Sequence, residues 1–219
     1  MVDTAPTPTG VQRCLVEIRQ MIISGELLPG QKVHQGEIAS ALNVSRIPVR
    51  EALSTLRAEG VLTYKPNTGF TVARFSGADL SEIYLMRRLL ETSLLETIDL
   101  SEVDTEELSA LNERLAGLSS SESPDDYQQT NHDFHFRLFE YSPLPLVRQE
   151  VLRLWYMSSF YRSLYIQEAD SQLRVHDDHE RIVDAIRQCD LPELIRLSDE
   201  HRASTETLVV QRIGFSRPR

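Results

Sequence analysis

The sequence predicts a mainly α protein in two parts: a small segment of three helices and a hairpin over residues 10–75, then an all-α bundle of six to seven helices over residues 76–212. Three observations carry this expectation. Two runs with apolar side chains at helical spacing flank Asn43-Val44, which reads as a tight turn. Short β-prone runs follow Gly60 on either side of a Pro-Asn-Thr-Gly turn signal. From Ser76 onward helix-start signals recur at regular intervals and strand patterns are absent. Residues 1–9 are expected to be a disordered tail and residues 213–219 a second tail.

The elements follow in order. Val11, Leu15, Ile18, Met21 and Ile22 make the apolar face of a first amphipathic helix, closed by Ser24-Gly25, with Leu28-Pro29-Gly30-Gln31 as the turn beyond it. Ile38, Ala41 and Leu42 repeat at helical spacing in the second, and Asn43 stands where a left-handed turn residue is wanted. Ser45 is placed to cap the third helix, in which Val49, Leu53 and Leu56 face the core and Arg46, Arg50 and Arg57 fall on another stripe. Cations near a helix N-terminus oppose the helix dipole, a cost that makes sense where phosphates or guanine edges supply the missing anion. An ordinary amphipathic helix with solvated arginines is the competing explanation. Gly60 ends this helix, and Val61–Tyr64, the turn Lys65-Pro66-Asn67-Thr68-Gly69 and Phe70–Ala73 form a hairpin whose tip can approach a sugar-phosphate surface.

The runs Ser24-Gly25-Glu26-Leu27-Leu28-Pro29-Gly30, Val44-Ser45-Arg46-Ile47-Pro48-Val49-Arg50-Glu51-Ala52-Leu53 and Glu59-Gly60-Val61 together resemble the winged helix-turn-helix of the GntR superfamily. The resemblance covers nearly all of residues 10–75. It implies that Ser45, Arg46, Pro48 and Arg50 of the recognition helix, with Lys65, Asn67, Thr68 and Gly69 of the wing, form the surface that meets double-stranded DNA. Two positions depart from the family pattern: Gly36 stands where an arginine is frequent, and Ile47 where threonine is usual before the proline.

Charge divides the chain in the same place. The net charge is −10, yet residues 1–75 hold 8 Lys/Arg against 6 Asp/Glu and residues 76–219 hold 15 against 27. The acidic second part repels DNA, so nucleic-acid contact is expected only in the first third. Cys14 and Cys189 show no pairing pattern, which suits a reducing cytosol. No apolar run approaches the roughly 18 residues of a membrane span, and the Thr/Pro-rich start lacks a signal peptide's apolar core. A soluble, cytoplasmic protein without membrane contact is expected.

In the second part, Ser76 with Asp79, Asp104 with Glu107, Ser123-Pro124 with Asp126 and Asp190 with Glu193 are caps followed by an acid in the first turn. Helices are expected near 77–98, 105–119, 124–141, 145–167, 171–188 and 191–212, with a Ser119-Ser120-Ser121 loop and a break at Pro143 and Pro145. Five of the six histidines lie here. His132 and His176 sit among polar side chains and read as surface residues, whereas His135, His179 and His201 share faces with Phe134 and Leu138, with Ile182 and Ile186, and with Leu197 and Leu208. One inward histidine is most simply a hydrogen-bonded core residue. Three on three helices need three separate partners or one shared one, and a divalent metal ion, zinc or similar, is the economical shared partner. Asn131 stands one turn before His135 and offers a fourth oxygen ligand.

Residues 76–212 resemble the FCD effector domain of the FadR-like branch of the same superfamily. The resemblance rests on Arg87-Arg88-Leu89-Leu90-Glu91, Asn131-His132-Asp133-Phe134-His135, His179 through Ile186, and His201. It implies a divalent ion held by Asn131, His135, His179 and His201 beneath an effector cavity, with Arg87 as a carboxylate partner; an ion pair of Arg87 with Glu91 at i+4 is the other reading. Many metal-binding members carry aspartate at the Asn131 position. The neutral amide implies either weaker metal binding or an anionic effector held directly by the polar pocket, His135, His179, His201 and Arg87 included. Signatures of metalloproteases, serine hydrolases and phosphate-binding loops are absent. The expected protein is not an enzyme but a homodimeric regulator, a repressor, reading a palindromic operator under control of an organic-acid effector. A metal-dependent hydrolase and a helical interaction protein that does not bind DNA are the alternatives.

Overall fold

Thr9 caps the first helix in the computed structural model, which describes residues 9–118, 124–166 and 169–215. Its hydroxyl accepts from the Gln12 N–H and its own N–H donates to Gln12 Oε1, a reciprocal cap that starts α1 (Gly10–Ile23). Thr9 is therefore part of the folded unit rather than of a tail. Residues 1–8, the Ser119-Ser120-Ser121 loop, the Ser123 cap and residues 216–219 lie outside the described residues.

The chain divides into two units, Met1–Arg74 and Phe75–Arg219. In the first, α1 packs on α3 (Arg46–Ala58), and α2 (Gln35–Ala41) packs on α3 as well. Cys14, Ile18 and Ile22 meet Val49, Ala52, Leu53 and Leu56 in the core. Ile38 and Ala39 are the buried residues of α2; Ala41, expected inward, is exposed, because the helix is too short for a second apolar turn. Asn43 takes the left-handed conformation at φ 52°. Strands β1 (Leu62–Lys65) and β2 (Gly69–Val72) pair antiparallel with Leu62 opposite Val72 and Lys65 opposite Gly69, as the wing requires. The segment after Gly30 adds a third edge, Gly30 N–H to Val72 and Val33 N–H to Phe70 carbonyls, each 2.9 Å. Its residues carry no strand signal of their own.

The second unit contains, among the described residues, six α-helices: α4 (Gly77–Leu95), α5 (Thr105–Ala116), α6 (Pro124–Phe139), α7 (Pro145–Ile166), α8 (Ala169–Arg187) and α9 (Leu191–Phe215). The caps at Ser76, Asp104 and Asp190 each accept the N–H three residues on. Helix α9 runs into the stretch expected to be a tail, because Val209 and Ile213 still pack on the bundle core. α4 lies against α7 and α9, α5 against α6 and α8, and α8 against α9.

The core is two apolar clusters with polar side chains between them. Leu80, Ile83, Tyr127, Val175 and Val209 belong to one cluster; Leu94, Phe134, Ile182, Ile186 and Leu194 belong to the other. Along α4, α6, α8 and α9 the residues between those positions include Arg87 and Glu91, Asn131, His179, and Arg202, all buried. Buried polar groups cost stability unless paired, so this layer is where a fold built only for stability would have placed leucines.

Candidate functional site

In the first unit, Ser45 sits at the start of α3 but its side chain makes no cap bond. Arg46, Ile47 and Arg50 are exposed on the first turns, and neither arginine joins an ion pair among the described residues. Pro48 is half-buried and packs toward Gly10, so it fixes the start of α3 against α1. Gly36 leaves room for the Arg46 guanidinium, 3.6 Å from where a Cβ would stand. Arg57, placed with the other cations by its spacing, instead lies 5.5 Å from the ring of Tyr64 on β1. At the wing tip Lys65, Asn67 and Thr68 are exposed, Asn67 is left-handed at φ 67°, and Gly69 has φ 87° with open space where a side chain would project.

In the second unit, His135 of α6, His179 of α8 and His201 of α9 bring ring nitrogens within 4.8 Å of one another. The Nε2 atoms of His135 and His179 are 3.2 Å apart. His179 Nδ1 lies 3.1 Å from Asn112 Oδ1, and His201 Nδ1 lies 3.0 Å from Asp178 Oδ2. An oxygen acceptor at Nδ1 keeps the proton there and turns the Nε2 lone pair inward, the orientation a metal ligand needs. Burial, followed by the charge of His201 for His135 and of His135 for His179, holds both imidazoles well below the usual histidine range. Both are therefore neutral at neutral pH. Such a donor set fits zinc or a similar divalent ion. Asn131 is buried and lines the same cavity. Asn112 and Asp178 escaped the sequence reading, although Asp178 is the residue before His179 and faces His201 across to α9.

His132 is not the surface residue its polar neighbours implied. It stacks on Phe136 at 4.1 Å and stands near Trp155 and Tyr156. His176 is likewise half-buried.

Arg87 makes the ion pair with Glu91 that its i+4 spacing allows. Its Nε donates to Glu91 Oε1 at 2.8 Å, while the side chain lines the cavity with His135. Arg162 of α7 and Arg202 of α9, which the sequence reading missed, line it too. Glu91 Oε1 also accepts from Trp155 Nε1 at 2.8 Å, and Glu91 Oε2 accepts from Arg202 Nε at 2.9 Å. Burial alone would raise the Glu91 carboxyl, but the guanidiniums of Arg87 and Arg202 outweigh it and hold the group at about 2. The Arg162 and Arg87 guanidinium carbons lie 4.1 and 4.3 Å from the Trp155 ring. Burial and then the charge of Arg87 push Arg162 down to about 9, so it stays protonated at neutral pH. The cavity volume is about 30 Å³, room for roughly two waters before its walls move.

Residues 12–72 match the bacterial regulatory proteins of the gntR family, and residues 82–204 match the FCD domain. The chain is 30% identical over 141 residues to the uncharacterized HTH-type transcriptional regulator YdhC of Bacillus subtilis (strain 168), over 63% of this chain and 62% of that protein. It thus spans about three fifths of that relative's length. It is 28% identical over 197 residues to the gluconate operon transcriptional repressor of Bacillus subtilis (strain 168), over 86% and 79% of the two chains. These relatives are transcriptional regulators rather than enzymes. Among solved structures, E. coli McbR/YncC shares the fold at 20% identity and a TM-score of 0.77, over 94% of this chain and 99% of that one. No helix among the described residues is long and apolar enough to cross a membrane. With the FCD match spanning more than half of its length and the gntR match lying ahead of it, the chain belongs to the GntR family of bacterial regulatory proteins, with an FCD domain.

Proposed function

We propose that the protein is a cytoplasmic, homodimeric repressor whose winged helices bind a palindromic operator and whose bundle senses a small organic acid. The observation that carries this reading is the cluster of His135, His179 and His201 beside a cavity that His135 and His201 line together with three buried guanidiniums. Such a lining selects an acceptor-rich anion. His135, His179 and His201, with Asn131, would hold a divalent ion, which when bound supplies positive charge for a carboxylate to coordinate. On the DNA side, Ser45, Arg46 and Arg50 stand exposed at the start of α3, with Lys65, Asn67, Thr68 and Gly69 on the wing. Their placement suits phosphate and base contact, with Pro48 aligning the helix. A second copy is supported by Leu85, Met86 and Leu89, an exposed apolar stripe on α4, and by the small number of base pairs one recognition helix can read. The gluconate operon repressor among the relatives favours repression.

The test is a gel shift with zinc-loaded protein on fragments flanking its own gene, with sedimentation of the free and bound protein. The expected result is a saturable complex of one dimer per site, weakened by an organic acid from a carboxylate panel. A monomer at all concentrations, or a shift equal on every fragment, would overturn the reading.

A further inference from the structure

We propose that the cavity has a second anion-binding pole, formed by Arg162, Arg87 Nη1 and the Tyr84 hydroxyl, so that the preferred effector carries two oxyanion groups. This rests on the organic-acid reading above.

The argument begins with pairing. Both oxygens of Glu91 are taken, one by Arg87 Nε and Trp155 Nε1 and the other by Arg202 Nε. Arg202 also has Asp199. Three guanidiniums thus share two acids, and Arg162 reaches neither. Its contacts among the described residues are the Trp155 ring and a 3.4 Å approach of Nη2 to the Trp155 carbonyl. Arg162 is 6% exposed. Its Nε, together with Arg87 Nη1 and the Tyr84 hydroxyl, is buried and has no hydrogen-bond partner.

All three residues line one cavity, and Tyr84 and Arg87 stand i and i+3 on the same face of α4. Every free group among them is a donor. Burial raises the phenol of Tyr84, which keeps its proton. Water could satisfy single N–H groups, but a neutral molecule leaves the Arg162 charge unbalanced in a buried place. A carboxylate or phosphate meets both demands. The first pole adjoins Trp155, whose ring is 5.0 Å from His135 and within 4.3 Å of both guanidinium carbons. Imidazole nitrogens and the Asn131 amide oxygen bring no anionic ligand, which would leave a divalent ion there equally short of negative charge. Two positive poles beside one indole call for a short acid with a charge at each end.

The experiment titrates full-length, zinc-loaded protein with butyrate, succinate and phosphoglycolate, following calorimetric heat and the fluorescence of Trp155, the chain's only tryptophan. Succinate matches butyrate in carbon count and adds only the second carboxylate; phosphoglycolate replaces that group by phosphate and so separates the two oxyanion types. At least one diacid should bind about tenfold or more tighter than butyrate. Arg162→Met should erase that advantage, bringing the diacids to within about twofold of butyrate on the same variant. In the absence of ligand, Arg162→Met should melt no lower than the wild type, because it removes a buried charge without an acid partner, whereas a purely structural arginine would lower the melting temperature. Equal binding of mono- and diacids, or a diacid advantage that survives Arg162→Met, would overturn the second pole alone. Failure of every acid to bind would overturn the organic-acid reading on which it rests.

Discussion

If the histidine cluster holds a metal as proposed, the side chain at Asn131 sets how strongly it does so. Its amide oxygen carries no formal charge, so Asn131→Asp should tighten zinc about tenfold or more, while His179→Ala, which removes the most buried imidazole, should abolish uptake. Competition against a fluorescent chelator measures both, and a mutant aspartate no tighter than the wild type would remove position 131 from the ligand set. Glu91 makes a different prediction. Its folded pKa is depressed from 4.5 to about 2, so its contribution to stability is fully present above about pH 4.5 and is lost as pH falls toward 2. A shift of that size corresponds to about 3 kcal/mol. Denaturant midpoints measured from pH 5 to pH 2.5 should fall steeply in the wild type and less steeply in Glu91→Gln. Glu91→Gln should also be destabilised at pH 7, by roughly 3 kcal/mol, because it leaves Arg87 and Arg202 buried beside a neutral amide.

The elements that could be read from the sequence are those whose determinants are local. Ser76 and Asp79, Asp104 and Glu107, and Asp190 and Glu193 lie three residues apart, and each cap closes within its own first turn. Asn43 announced its positive φ angle by residue type. The inward faces of α6, α8 and α9 followed from periodicity, which is why His135, His179 and His201 could be grouped. What could not be read was pairing across elements. Arg162 and Arg202 look like surface cations in sequence, and only the packing of α7 and α9 on α4 reveals that they are buried around Glu91. Arg57 is exposed with Arg46 and Arg50 as its stripe on α3 implied, but its neighbour Tyr64 on β1 could not be read from α3 alone. The element-scale prediction follows. Arg50→Ala, exposed and outside the core, should leave the melting temperature unchanged and cost about 1–3 kcal/mol of operator affinity. Full affinity in a folded Arg50→Ala protein would remove that residue from the DNA face.

For the whole molecule, the proposed function requires two copies and a route from the cavity to the DNA-binding unit. If the apolar stripe of α4 faces a second copy, Leu89→Asp should shift sedimentation toward monomer and weaken operator binding by at least about tenfold; a dimer of unchanged affinity would place the interface elsewhere. The route is suggested by α7. Arg162 lines the cavity, and the preceding residue, Tyr161, accepts the Phe75 N–H at 2.9 Å through its hydroxyl, with the Phe75 carbonyl at 3.4 Å. Phe75 is the first residue of the second unit, joined directly to Arg74 at the end of the first. On the proposed reading, an acid bound at Arg162 would pull on the turn of α7 that holds Phe75. Tyr161→Phe keeps the ring packed near Phe75 and removes only the hydroxyl. Acid binding should therefore stay within about twofold of the wild type, while the factor by which the acid weakens operator binding should shrink by the equivalent of roughly 1 kcal/mol. Operator isotherms with and without saturating acid give that factor directly. A Tyr161→Phe protein with the wild-type factor would show that the signal leaves the bundle by another path.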